Sequence, residues 1–565
     1  MDETASEEEP PTKRQRKKAS QKPLQQKKAA SSAKEENLVD DVEEETQSEE
    51  LDDSSSKPAE AKKEPKSLPT KTKAAKDNQK AASVKRAPPP AVVKEDDDVA
   101  MQNDSESDLQ SEIEDEDSEE EHPEKAAKAR AAVQTTLKSN TKDPYPDWKA
   151  GDPVPYAALC TTFTKIEMTT KRLEILAHCS LFLRQVLRLT PEDLLPTVLL
   201  MIGKLAADYS GIELGIGESL IMKAIGESTG RNLKTIKEDQ QKIGDLGLVA
   251  AKSKSSQPTM FKPKPLTVRG VHQQLMAIAQ MEGSGGQGRK VAGIHKLLSA
   301  ADTNLPKGQS VDITKDKGGP SEAKFIVRLL EGKMRLGLAD KTVLVALAQA
   351  MVFHNVAGDS NKIPSMDQLA KGESILKSVY NELPSYEVIV PALIEHDIFH
   401  VREACKLQPG VPLKPMLAKP TKSITEVLDR FEGKDFTCEY KYDGERAQIH
   451  FVSHDAHQSY ATPVPSAGKS EKGISNIFSR NSEDLSKKYP DILAKLPTWV
   501  KDGTKSFVLD CETVAWDVVE KKVLPFQQLM TRKRKDVKVE DVKVKVCVFA
   551  FDLLFLNGEV SNPHL

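Results

Sequence analysis

The sequence predicts a multidomain chain in three parts: a disordered tail over 1–142, an all-helical domain over 143–405, and an α/β domain over 406–565. Three observations predict it. From Met1 to Lys142 there is no Gly, Cys, Phe, Tyr or Trp, and the first aromatic residue is Tyr145. From there to about Cys405, apolar residues recur three and four apart, the period of a half-buried helix. Beyond Leu407, short alternating runs that read as strands are interleaved with helical stretches.

The tail is dominated by Lys, Glu, Asp, Ser and Ala, so it cannot bury enough apolar surface to offset chain entropy. Within it, Lys13-Arg14-Gln15-Arg16-Lys17-Lys18 is a basic cluster of the kind read as a nuclear import signal, with an ordinary solvated charge run as the alternative. Glu95 to Glu121 hold 15 acidic side chains and no Lys or Arg. Such a block repels nucleic acid rather than binding it, and its serines 105, 111 and 118 sit in surroundings that suit an acid-directed kinase. Net charge over the whole chain is −4, so the distribution of charge says more than the total. The six cysteines (160, 179, 405, 438, 511, 547) show no C-x-x-C spacing, which argues for a reducing compartment and against a zinc site or disulfide framework. No apolar run approaches the length of a membrane span, and no secretory signal opens the chain.

Order is expected from Pro144-Tyr145-Pro146-Asp147-Trp148 onward. Helical periodicity is plainest in Leu173 to Leu187, Leu194 to Leu205 and Phe325 to Val352. Thr190-Pro191-Glu192-Asp193 reads as a helix start, with Thr190 as cap and Pro191 in the first helical position. Two loops carry more than connection. Gly283-Ser284-Gly285-Gly286-Gln287-Gly288-Arg289-Lys290 leads into the apolar stretch Val291 to Leu298. Free backbone amides beside Arg289 and Lys290 would make a phosphate cradle, and a flexible linker is the equal alternative. Gly332-Lys333-Met334-Arg335-Leu336-Gly337-Leu338 sets two cations between glycines that permit close backbone approach.

Leu407 to Thr421, with Pro409, Pro412, Pro415 and Pro420, reads as an extended, stiff connector. In Phe436-Thr437-Cys438-Glu439-Tyr440-Lys441-Tyr442-Asp443-Gly444-Glu445-Arg446-Ala447-Gln448-Ile449-His450, two strands are expected to meet at Asp443-Gly444, a dipeptide that accepts the positive φ angles of a tight hairpin. Arg446, Gln448 and His450 then alternate with Ala447 and Ile449. A lysine beside a carboxylate and followed by an arginine suits a nucleophile with anion-binding neighbours, although Lys-x-Asp-Gly alone also fits a surface hairpin with a salt bridge. Downstream come Ile477-Phe478-Ser479-Arg480-Asn481, then Phe507 to Trp516 containing Asp510-Cys511-Glu512, then Val546 to Leu554 containing Phe549-Ala550-Phe551-Asp552.

These segments, in this order, resemble the motifs of ATP-dependent DNA ligases, most closely the eukaryotic replicative type. The resemblance implies a helical DNA-binding domain followed by a nucleotidyltransferase (adenylation) domain, with ATP and Mg²⁺ as cofactors and nicked double-stranded DNA as partner in the nucleus. It makes Lys441 the nucleophile that attacks the α-phosphate of ATP; the AMP passes to the 5′-phosphate at a nick, and the 3′-hydroxyl displaces it. By the same resemblance Glu439 reads the adenine amino group, Arg446 and Arg480 contact ribose and phosphate, and Glu512 binds ribose hydroxyls or Mg²⁺. Asp510 shares the strand face of Glu512, and Phe551 stacks on adenine. Without the motif, plain core is the commoner fate of such a phenylalanine. Lys333 and Arg335, with Gly337, match a DNA-backbone-contacting turn. The run from Arg532 through Lys533, Arg534 and Lys535 matches a DNA-contacting loop where a solvated charge face would otherwise be read.

The family pattern continues past this region with a Glu-Gly motif, a lysine-rich strand and an OB-fold. These are absent from the 565 residues, so an incomplete adenylation domain with partial or no sealing activity is expected. Ser453 to Ser475 is longer than a hairpin requires and reads as a surface insertion with no chemistry of its own. A sliding-clamp-binding peptide would need a glutamine followed by an aromatic pair, which the tail lacks. An RNA ligase or capping enzyme shares Lys-x-Asp-Gly but not the long helical segment before it. A DNA-nick-binding fragment without catalysis is the other alternative.

Overall fold

The computed structural model describes residues 148–560, apart from 215, 256–262, 304–312, 358–362, 416–419, 459, 461 and 534–536, together with a few positions between 127 and 145. The basic cluster and acidic block of the tail lie outside the described residues. The described residues all belong to one compact unit.

The helical part runs α1 Tyr156–Glu167, α2 Arg172–Leu189, α3 Leu194–Met201, α4 Glu218–Thr229, α5 Leu233–Ile243, α6 Leu246–Ser255, α7 Val268–Ala279 and α8 Gly286–Ala300. It continues with α9 Glu322–Leu330, α10 Asp340–Ala357, α11 Met366–Glu382, α12 Tyr386–Glu395 and α13 Val401–Ala404. The stretch Phe325 to Val352 is broken at its glycines into α9 and α10. The helical unit also reaches back past the expected boundary at 143: Ala127, Arg130, Ala131, Gln134 and Thr135 are helical. Arg130 pairs with Glu373 at 3.1 Å and the Gln134 amide donates to the Pro364 carbonyl at 2.7 Å. A buried carboxylate needs such a partner wherever the chain can supply one.

Pro191 takes the first position of a short 3₁₀ turn, but Thr190 does not cap it. Its hydroxyl instead accepts from the Trp148 indole and donates to the Asp152 carbonyl, because a buried indole N–H at that point has the stronger claim on an acceptor. One core joins α1, α2, α9 and α10 around Phe163, Phe182, Phe325 and Leu347. At its edge lies a buried ionic cluster. Glu167 takes Lys324 at 2.8 Å and Arg328 at 2.9 Å, and Arg328 also grips Asp245 at 2.7 Å. Removing one member of such a cluster typically costs ~3–5 kcal/mol, because it strands the charge left behind.

The third part holds α14 Ile424–Arg430, β1 Glu445–Ser453, β2 Gly473–Ser479, α15 Pro490–Trp499, β3 Ser506–Asp517, β4 Lys522–Val523, α16 Phe526–Met530, β5 Val546–Leu556 and β6 Glu559–Val560. The sheet order is β2-β1-β3-β5-β6, with β4 on β3. Strands alternate with helices along the chain as expected, and every pairing among the described residues is antiparallel, with α15 and α16 on one face of the sheet. The hairpin expected at Asp443-Gly444 does not form. β1 is paired on one edge by β2 and on the other by β3, so no edge remains for Phe436 to Tyr442, which form no strand. The stretch 453–475 is more than surface. Tyr460 hydrogen-bonds Asn476, and buried Thr462 donates to the Gly410 carbonyl of the connector.

Candidate nucleotide and nucleic-acid site

Antiparallel register lays polar side chains in rows across the sheet. Arg446 on β1 faces Glu512 on β3, which faces Phe549 on β5; the next row is Gln448, Asp510 and Asp552. The intervening residues Ala447, Ile449, Phe451 and Cys511 point the other way and pack on Ile492, Leu493 and Leu496 of α15. The period of two therefore divides this sheet into a core face and a chemical face.

On the chemical face Asp510, itself buried, holds Arg446 through both guanidinium arms, Nε at 2.9 Å and Nη2 at 2.5 Å. The Arg446 guanidinium carbon lies 5.5 Å from the Phe551 ring centre. Glu512 is half-buried; burial lifts its carboxyl above the ordinary value, while Lys441, Arg446 and a hydrogen bond from the Gly444 amide pull it back. Lys441 and Arg446 act on this carboxylate through space, since Arg446 spends its own hydrogen bonds on Asp510. Gly444 is needed there for space rather than for a positive φ, since a Cβ would meet the Thr513 carbonyl and the Val514 side chain. The Tyr442 ring stacks on Phe549 with centroids 3.9 Å apart and planes 14° from parallel. Lys441 and Glu439 are exposed on the stretch before β1, and Arg480 is exposed one residue beyond the Ala447–Ser479 pair, at the Arg446 end of β1.

The chemical face is roofed by the connector. Gln448 exchanges two hydrogen bonds of 3.0 Å with the Leu413 backbone, and the Gly410 amide donates to His450 Nδ1 at 2.9 Å. Burial pushes the His450 imidazole down to about 3, so it sits neutral with its Nδ1 free to accept.

In the helical part, α9 ends in a tight turn. Gly332, Arg335 and Gly337 all have positive φ (68°, 54° and 61°). Leu336 is buried beneath the turn, Lys333 and Arg335 are exposed on it, and Arg335 Nη1 donates to the Gly244 carbonyl at 3.0 Å. A non-glycine residue in the left-handed region costs roughly 1–2 kcal/mol, so Leu336 and the Arg335 bond hold a strained loop in place.

Two family models match the chain: the DNA ligase N terminus over residues 155–348, and the ATP dependent DNA ligase domain over 415–461 and 468–563. The chain belongs to the ATP-dependent DNA ligases. It is 50% identical over 404 residues to DNA ligase 1 of Schizosaccharomyces pombe, covering 72% of this chain and 48% of that relative. The corresponding figures for DNA ligase 1 of Saccharomyces cerevisiae are 43% over 432 residues, 76% and 52%; for that of Drosophila melanogaster they are 43% over 415 residues, 73% and 50%. The chain spans about half the length of these relatives.

Within this ligase chain, Arg446, Glu512 and Phe551 share the chemical face, and Lys441 and Glu439 stand on the exposed approach to it. Arg289 differs from the expected phosphate cradle. Its guanidinium donates to the Ser284 and Glu282 carbonyls at 2.9 and 2.8 Å, capping its own loop, and Lys290 Nζ donates to the Leu214 carbonyl at 3.0 Å. Nor is the 283–290 loop a linker, for it closes the N-terminus of α8 with Gly285 in the left-handed region. The basic run near 532 splits. Arg532 is buried over Tyr489, 4.7 Å from its ring centre, and bonds the Lys488 carbonyl and Asp491, whereas Lys533 is exposed. Arg534 and Lys535 lie outside the described residues. No sequence motif marks Tyr442, Gln448 or the Gly444 amide for these positions, although the alternation Arg446, Gln448, His450 already marks a polar face on a strand.

Proposed function

We propose that this chain is the DNA-gripping and nucleotide-transferring part of a nuclear ligase that seals nicks in duplex DNA through a lysyl-AMP intermediate, with Lys441 as nucleophile. The observation that carries it is the sheet face shared by Glu512 and an Asp510-held Arg446 over Phe551, beside the stacked pair Tyr442 and Phe549 that adjoins Lys441. An adenine entering over β5 would meet Phe551, with Glu439 reading its edge. Arg446, fixed by Asp510, presents its remaining guanidinium edge to ribose or phosphate without searching for a rotamer, which is preorganisation. The Lys441 amine must lose its proton to attack the α-phosphorus, and Glu512 is the nearby carboxylate that steadies its charge until substrate arrives. The N–P bond then forms as the bond to pyrophosphate breaks.

Among the described residues no three metal-ligating side chains cluster, but Mg²⁺ is commonly held by one carboxylate with water and substrate phosphates. Half-buried Glu512 fits that habit, and the ion would neutralise phosphate charge. On the helical side, Lys333, Arg335 and Gly337 seat on the sugar–phosphate backbone, with the basic run of Lys533, Arg534 and Lys535 as a second contact. Arg289 and Lys290 support their loop rather than lead this contact.

The test is incubation with α-labelled ATP and Mg²⁺ followed by a denaturing gel. Label on wild type and none on Lys441→Ala is expected. No label on either, alongside salt-sensitive duplex binding, would leave a nick-binding role alone.

A further inference from the structure

We propose that Glu331 takes up a proton when a backbone phosphate seats on the 332–338 turn, and thereby sets the pH range over which this chain holds duplex DNA. The inference rests on the reading of Lys333 and Arg335 as backbone-contacting residues.

Glu331 is the residue that closes α9, immediately before Gly332. A helix C-terminus is the negative end of its dipole and disfavours an anion. One of the two carboxylate oxygens is enclosed and has no hydrogen-bond partner among the described residues. An enclosed, unpartnered carboxylate oxygen is costly while charged and much less so once protonated.

The charges that act on it come from three elements. Its own turn contributes the cations Lys333 and Arg335, the start of α6 contributes Asp245, and the first residue of α4 contributes Glu218. Two carboxylates thus oppose a third, and the cation nearest Asp245 is already spent, because Arg328 grips it through Nε at 3.2 Å and Nη2 at 2.7 Å. Arg335 turns one arm to the Gly244 carbonyl instead. Burial foremost, then Asp245, lifts the Glu331 carboxyl to about 6.

A phosphate arriving at Lys333 and Arg335 adds a further negative charge and draws off the two cations that help keep Glu331 ionised. The carboxylate then binds a proton from solvent and becomes a neutral acid, which can also donate its O–H. No other reactant is needed. Each unit by which seated DNA raises this acid is a tenfold change in affinity across the titration.

The test uses the full chain and a short fluorescent duplex at fixed salt, with anisotropy titrations from about pH 5.5 to about pH 8. Wild type is expected to weaken about tenfold more over that range than Glu331→Gln, which binds more tightly at the alkaline end. Calorimetry in two buffers of different ionisation enthalpy should show proton uptake on binding by wild type and none at this position in the variant. Glu331→Ser repeats the comparison if glutamine perturbs the turn. Equal pH slopes and equal proton uptake in wild type and both variants would overturn the proposal. The doubly substituted Lys333→Ala, Arg335→Ala chain separates the two readings. If it binds like wild type, the turn is not the DNA contact and this inference falls with it. If it binds weakly while Glu331→Gln still tracks wild type, only the proton linkage is wrong.

Discussion

At the residue scale the chemical face depends on which carboxylate each cation chooses. Arg446 stands directly opposite Glu512 in register, yet it pairs with Asp510 on the diagonal. Glu512 stays half-buried beside that pair, so two acidic residues on one strand stand in two different settings. Asp510 is the structural one. Asp510→Ala should lower unfolding free energy by about 2–4 kcal/mol, because it strands a part-buried guanidinium, and Asp510→Asn should lose less by keeping one acceptor. Denaturant midpoints at unchanged m-value read this directly, and an alanine variant as stable as wild type would show that the pair contributes nothing.

At the element scale the notable join is between β1 and the connector before it. Gln448 and His450 project from one face of β1 and bond the backbone at Leu413 and Gly410, so a strand of the sheet fixes the path of the chain that leads into it. The His450 link is sensitive to acid. Its folded-state pKa, about 3, lies below the unfolded value of roughly 6.5, so the unfolded state binds the extra proton first. Stability from this group is fully present above about pH 6.5 and falls by up to about 1.4 kcal/mol for each unit of acidification toward pH 3. His450→Gln, which keeps an acceptor but cannot titrate, should flatten the acid limb of a stability-against-pH curve. An unchanged acid limb in that variant would show that another group controls it.

At the scale of the whole molecule, the ligase's helical and sheet parts are joined by side chains as well as by the connector. Phe478 belongs to β2 but is buried in the helical core, edge-on to Tyr209 with centroids 6.5 Å apart and to His450 at 4.7 Å. Lys414 adds a cation over the Tyr380 ring at 4.9 Å. Arg480 follows two residues after Phe478, so the seat that joins the domains also places an arginine beside the chemical face. Phe478→Ala should cost about 3–5 kcal/mol as a cavity at the junction. Calorimetry should then resolve two transitions where wild type shows one; a single transition at the wild-type temperature would mean the two parts are not coupled there.

Much of this protein was legible along the chain. Helical periodicity, the spacing of Lys441, Arg446, Arg480, Glu512 and Phe551, and the two glycine-flanked cations at 333 and 335 are properties of neighbouring residues. They determined the helical domain, the family and most of the chemical face. Tertiary structure decided what depends on partners far away in sequence. Phe436 to Tyr442 could not become a strand once β2 and β3 had taken both edges of β1. Arg289 turned to its own loop carbonyls, Arg532 became an internal prop, and Phe478 crossed into the other domain's core. Local pattern states which face a side chain prefers. It does not state what will already be standing there, because backbone edges, buried acceptors and packing space are each filled once.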